Sequence, residues 1–250
     1  MKYTLLEVVQ RVLESMDSDE VNTISATPES MAVANIAKEC YNDIVGDIGL
    51  TEHKGLFQLT ASGDNTKPTK MTLPDSIITL DTIEYNIGTL LDPQYQDIYF
   101  LPLHDFLNIT NNLSGTGTAT QTIALNGGTF TFKFYNDRWP TYYTTVDDRT
   151  ILFDAYNVAE ESTLTSSRMR CFGLISPTFA LQDTFVPLLD PRQFQLWIQA
   201  TKAQSFVELK QSENPKAERK ERRNWILARK TKDTVDGRPA IQRRKGYGRK

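Results

Sequence analysis

Two helix starts of the same design stand more than 160 residues apart, and between them the chain turns into something else. Thr27-Pro28-Glu29 offers a hydroxyl N-cap, a proline in the first turn and an acid at the positive end of a helix. Asp190-Pro191 repeats the device. Behind the first start, Met31, Ala34, Ile36, Ala37, Cys40, Tyr41, Ile44 and Ile48 form one apolar stripe, with Gly49 as the stop. Behind the second, Phe194, Trp197, Ile198, Thr201, Phe206 and Leu209 keep the helical period. Thr4 and Glu7 have capping-box spacing ahead of a further stripe, Leu5, Val8, Val9, Val12, Leu13 and Met16. Asn214-Pro215 opens a last helix, with Trp225 and Ile226 as its main apolar anchors. None of these stripes can be buried by its own helix, so each requires a helical partner.

Residues 55–187 have a different texture. GLFQLTAS, KMTLP, IITLDTIEYNI, DIYFLPL, TIALNGGTFTFKFYN, TYYTTV, RTILF and RMRCFGLI are short, β-branched and aromatic, and turn residues separate them. Asn126-Gly127-Gly128 makes positive φ cheap, so TIAL and TFTFKF should pair as a hairpin. SGTGTATQ (114–121) reads as a small-residue loop and LHDFLNIT (103–110) as a short helix. The expected fold is therefore α+β. A helical pair (1–54) and a second helical pair (188–232) make a four-helix bundle, an all-β sandwich or barrel (55–187) is inserted between them, and an extended arm (233–250) follows.

Charge is distributed unevenly. Residues 201–250 hold 16 Lys+Arg against 6 Asp+Glu, and the first 200 hold 12 against 25, within a net of −3. Body and C-terminal end are thus built to meet different surfaces. Arg238, Arg243, Arg244, Lys245, Tyr247, Arg249 and Lys250 combine cations with an aromatic ring. That set suits a phosphate backbone, and it suits an acidic protein groove equally. On the last helix, Arg219, Lys220, Arg222 and Arg223 read as a solvated face or as a subunit interface.

Signatures of catalysis are weak. His53 and His104 are the only histidines, and neither has metal-spaced neighbours in sequence. No phosphate-binding glycine motif or nucleophile elbow occurs. Asp147-Asp148 and Glu160-Glu161 read as solvated turns, since adjacent residues of an extended chain point to opposite faces. Trp197 and Trp225 read as bundle core. Cys40 and Cys171 read as buried and reduced. Neither a membrane span nor a signal peptide is expected. The expectation is a protein without enzyme activity, metal or cofactor.

The arrangement resembles the head-to-tail adaptors of short-tailed bacteriophages, the tail tubular protein A type. TPESMAVANIAKECYNDI stands in the place of that family's second helix. DRTILFDAYN, followed by SPTFALQDTFVPLLDPRQFQLWIQATKAQSFVELKQSENP, resembles the family's acidic, proline-containing lead into a helix with an alanine-rich, aromatic face. The closing polar helix and C-terminal extension complete a resemblance that spans most of residues 1–235. It implies a homo-oligomeric ring, commonly of twelve subunits, at the head–tail junction of the virion. Such a ring is assembled in the host cytoplasm, docks beneath the portal protein, extends the channel for genomic double-stranded DNA and carries the tail nozzle protein. On this reading residues 238–250 dock on protein first, and any contact with DNA is secondary. Two alternatives stay open: a nucleic-acid-binding protein that uses its basic end, and a tail enzyme that cleaves a polymer with carboxylates such as Asp147 and Glu160.

Overall fold

The computed structural model describes residues 2–89, 91–125 and 127–235, and the protein is α+β. It divides into two compact units. The first unites 1–54 with the chain from Ser176 onward, and the second is 55–175.

In the first unit, α1 (Leu5–Ser15) begins at a complete capping box: Glu7 N–H donates to Thr4 Oγ1, and Glu7 Oε2 accepts from Thr4 N–H at 2.8 Å. α2 (Pro28–Ile48) starts at Thr27, whose hydroxyl accepts from Ser30 N–H, and stops at Gly49 in the left-handed region at φ 63°. Its buried stripe takes in Val33 and Val45, whereas Met31 is half-buried. After Asp190-Pro191 the chain needs one more turn, and α4 runs Gln193–Lys210. α5 (Pro215–Val235) is capped by Asn214 Oδ1, which accepts from Ala217 N–H at 3.1 Å. α1 packs on α2 and α4, and α5 packs on α4 and α2.

At the centre of this unit lies Trp197, fully buried, its indole N–H donating to Ala37 O at 2.7 Å. Tyr41, Phe179 and Phe194 surround it with ring centroids 6.0–6.5 Å away. Phe179 belongs to residues 176–187, which the sequence reading assigned to the β region. They pack with the helices instead. Phe179 joins the aromatic cluster, Phe185 O accepts from Leu5 N–H, and Asp183 Oδ1 accepts from Ile24 N–H at 2.8 Å. An irregular strap with a Phe-x5-Phe pair has no period that reveals its partner.

The second unit contains β1 (Lys54–Phe57), β2 (Thr60–Ala61), β3 (Lys70–Thr72), β4 (Ile77–Asn86) and β5 (Tyr95–Phe100), then α3 (Leu103–Asn111). β6 (Thr118–Leu125), β7 (Gly128–Tyr135), β8 (Tyr142–Thr145), β9 (Thr150–Phe153) and β10 (Met169–Ile175) complete it. Eight strands form one curled sheet in the order β1-β10-β4-β5-β8-β9-β3-β2, and β6-β7 form the separate hairpin. β5 and β8 pair in parallel, with the hairpin and α3 lying between them in sequence. The short helix expected at 103–110 forms as α3 and contributes the buried Phe106 to the core, so the unit is β-rich with one helix packed into it. Thr118–Gln121 also belong to strand β6 rather than to a loop, because Thr and Gln there face the strand residues of β7.

One core fills the curl. Met71, Ile83, Tyr85, Phe132, Phe153 and Cys171 are among its buried members, drawn from both halves of the sheet and from the hairpin. The hairpin is tied in by Tyr135 N–H to Asp154 O and by Thr69 Oγ1 to Gln121 Oε1, both 2.9 Å. Where β10 bulges between Phe172 and Gly173, the backbone of β4 comes so close that a Cβ at Gly173 would press into the Thr79 carbonyl oxygen.

Candidate partner-binding surface

α5 is the most strongly charged described element. Its inward side is defined by the buried Ala217 and Ala228, with Glu221, Asn224 and Trp225 half-buried beside them. The other side carries Lys216, Arg219, Lys220 and Arg223, at i, i+3, i+4 and i+7, all exposed. Arg222 is exposed as well and lies 3.9 Å from Glu218 Oε2 at i+4 spacing, a weak solvent-screened pair. Among the described residues no carboxylate pairs with Arg219, Lys220 or Arg223. Ile226, expected as an anchor, is instead 57% exposed and Leu227 is 50% exposed. The reason is angular: Ala217, Glu221, Asn224 and Ala228 take the inward stripe, and Ile226 falls on the far side of the helix. The outward face of α5 is thus cationic and partly apolar. That combination favours a partner that is acidic and offers apolar surface.

A second surface lies on α2. Glu39, Asp43 and Asp47, at i, i+4 and i+8, are all exposed. They border a groove of about 240 Å³ that Ala200, Gln204, Glu221 and Trp225 also line. Burial raises the Glu221 carboxyl above its ordinary range, and the neighbouring Glu218 charge adds to the effect. Beneath the groove Cys40 is pushed up to about 12 by burial, against the opposing pull of a hydrogen bond with Thr201. A thiol so protonated is packing material and not a nucleophile. Trp225 is therefore a groove wall, and only Trp197 is core of the kind expected for both.

The remaining residues weighed for chemistry are dispersed. His53 is buried, its Nε2 3.1 Å from Tyr41 Oη and 3.0 Å from Leu188 O, and burial lowers its pKa although the Leu188 carbonyl opposes the shift. His104 is exposed on α3, beside Asn108. Asp147 and Asp148 are exposed, and Asp147 Oδ1 caps the turn by accepting from Arg149 N–H and Thr150 N–H. Glu161 departs from the solvated-turn reading. Its side chain is 7% exposed, ion-paired with Arg168 at 2.5 Å, and it accepts from Thr165 N–H and Oγ1. Arg168 also donates to the carbonyls of Asn86 and Gly88 and lies over the Trp139 ring. This network clamps β10 to the end of β4. Cys171 is likewise pushed up to about 12 by burial. Among the described residues no three His, Cys, Asp or Glu side chains gather as metal ligands would, and no described helix is long and apolar enough to cross a membrane.

No family model matches this chain, and no curated protein does. Arg238, Arg243, Arg244, Lys245, Tyr247, Arg249 and Lys250 lie outside the described residues. The sequence signal for the α5 face was plain. The α2 stripe was missed because its carboxylates are interleaved with core residues, and only the helix geometry separates the two sets.

Proposed function

We propose that this chain is a head-to-tail adaptor of a short-tailed bacteriophage: a structural, non-enzymatic subunit of a ring, commonly of twelve copies, beneath the portal protein. The ring extends the channel for genomic DNA and carries the nozzle protein, so the chain resides at the head–tail junction of the virion. Within this reading α1, α2, α4 and α5 are a four-helix bundle and residues 55–175 are its insertion. The observation that carries the reading is the outward face of α5. A helix that closes a unit built from both chain ends displays Arg219, Lys220 and Arg223 with no described carboxylate partner, beside exposed Ile226 and Leu227. A ring subunit needs such a face for its neighbour or for the portal. Residues 238–250 extend the same cationic character and act as the docking arm.

The same cations support a second reading, a DNA-binding protein. Mass photometry and DNA titration on the purified full-length chain separate the two. The adaptor forms ring-sized particles, alone or on portal complexes, and binds duplex DNA weakly. A protein that stays monomeric with portal and binds DNA with a steep inverse salt dependence contradicts the adaptor and supports the alternative.

A further inference from the structure

We infer that the groove beside α2 is the receiving half of a contact between copies of this chain, and that it receives the outward stripe of a neighbour's α5. The inference rests on the ring reading and adds the surface that the ring reading leaves unspecified.

The two surfaces match in sign and in length. Glu39, Asp43 and Asp47 span about 12 Å along α2 at 1.5 Å per residue, and Lys216 to Arg223 span about 10 Å along α5. Among the described residues, those lining the groove include the carboxylates of Glu39, Asp43, Asp47 and Glu221 and no lysine or arginine. Arg222, on the same chain, offsets only part of the upward shift on Glu221 and pairs weakly with Glu218. A neighbour's cations would supply the counter-charge that the groove lacks, and they would relieve the strain on Glu221, whose charged form burial disfavours. The exposed Leu227 of the stripe and the half-buried Trp225 of the groove give the contact apolar surface.

Direction follows from the helix. Trp225, which faces the groove, is nine residues from Lys216 and so lies about 180° around α5 from it. Stripe and groove point away from each other and cannot meet within one copy. Each meets its complement only on another copy. A two-fold dimer through either surface alone would set like charges against like, whereas a head-to-tail contact sets opposite charges together and repeats around a ring. DNA does not fit the groove, because phosphates meet four carboxylates there.

Charge reversal on the full-length chain tests this. All six target positions are exposed, so folding is retained, and circular dichroism checks it. The triple change E39K/D43K/D47K leaves only Glu221 acidic in the groove and makes both surfaces cationic, and R219E/K220E/R223E leaves only Lys216 basic in the stripe and makes both acidic. Sedimentation velocity should show association of the unmodified chain weakened by salt, and a roughly tenfold or greater loss of association in each variant alone. Mixing the two variants, or combining the six changes in one chain, should restore it. If the reversed chains associate as well as the unmodified one, the ring uses other surfaces: the inference fails while the ring reading stands. If R219E/K220E/R223E is silent and removal of 236–250 abolishes association, the groove takes that segment instead, and the inference is overturned. If the unmodified chain associates under no condition and forms no ring on portal complexes, the ring reading fails and takes the inference with it.

Discussion

Gly173→Ala is the sharpest test of the strand arrangement in the second unit. The added methyl would sit well inside contact distance of the Thr79 carbonyl oxygen, 3.1 Å from the Thr79 carbonyl carbon and 3.2 Å from Leu80 Cα. All three are backbone atoms of β4, so no side chain can swing aside. The strands must separate by on the order of 1 Å to reach ordinary contact distance. Overpacking of this kind costs about 1–3 kcal/mol. A weakened ladder bond adds about 1 kcal/mol, and alanine's smaller unfolded-state entropy returns about 0.4–1 kcal/mol. The net loss is about 1–3.5 kcal/mol, or roughly 4–14 °C in the unfolding midpoint of a unit this size. Labelling with 5-fluorotryptophan gives a ¹⁹F resonance for each tryptophan. Trp139, packed 5.5 Å from the Tyr85 ring, reports on the second unit, and Trp197 on the first. The Trp139 resonance should lose its native position at lower urea while that of Trp197 holds. A shift below about 0.5 kcal/mol for Trp139 would refute the close approach of β10 to β4. Gly46→Ala is the control: its Cβ meets nothing within 4 Å, and the change in the last turn of α2 should stabilise by about 0.4–1 kcal/mol.

Three further outcomes are expected. Because burial holds the folded His53 pKa below the ordinary 6.5, the unfolded chain takes up a proton first as pH falls; the stability due to neutral His53 is complete above 6.5 and declines below it. Urea titrations at pH 7.5 and 5 should show this decline reduced in His53→Gln, and an unchanged decline would contradict the assignment. Cys40 and Cys171, both pushed up to about 12, should resist iodoacetamide at pH 8 in the native protein and react in denaturant, as read by mass spectrometry. Asn214→Ala removes the cap of α5 and should cost about 1 kcal/mol, seen as faster hydrogen exchange in the first turns of that helix.

The helix starts were legible because capping chemistry is local: Thr4 with Glu7, Thr27-Pro28 and Asn214-Pro215 all begin helices where their side chains satisfy free N–H groups. The pairing of β6 with β7 was legible for a related reason, since Gly127 at φ 100° supplies the turn. Long-range placement was not legible. That β5 pairs in parallel with β8, that Phe179 joins Tyr41 in the helical unit and that Arg168, which draws in Glu161, is itself held by the carbonyls of Asn86 and Gly88 are decided by contacts across tens of residues. The candidate surface divides along the same line. The cations of α5 stand out in composition, whereas the acidic stripe of α2 shows itself only when its core neighbours are turned inward.

Electron microscopy of virions that carry this chain tests the adaptor proposal most directly. A ring built from this polypeptide directly beneath the portal, with a central channel and the nozzle attached below it, is the predicted result. Density for the chain anywhere else in the particle, or virions in which portal and nozzle touch with no such ring between them, would contradict it.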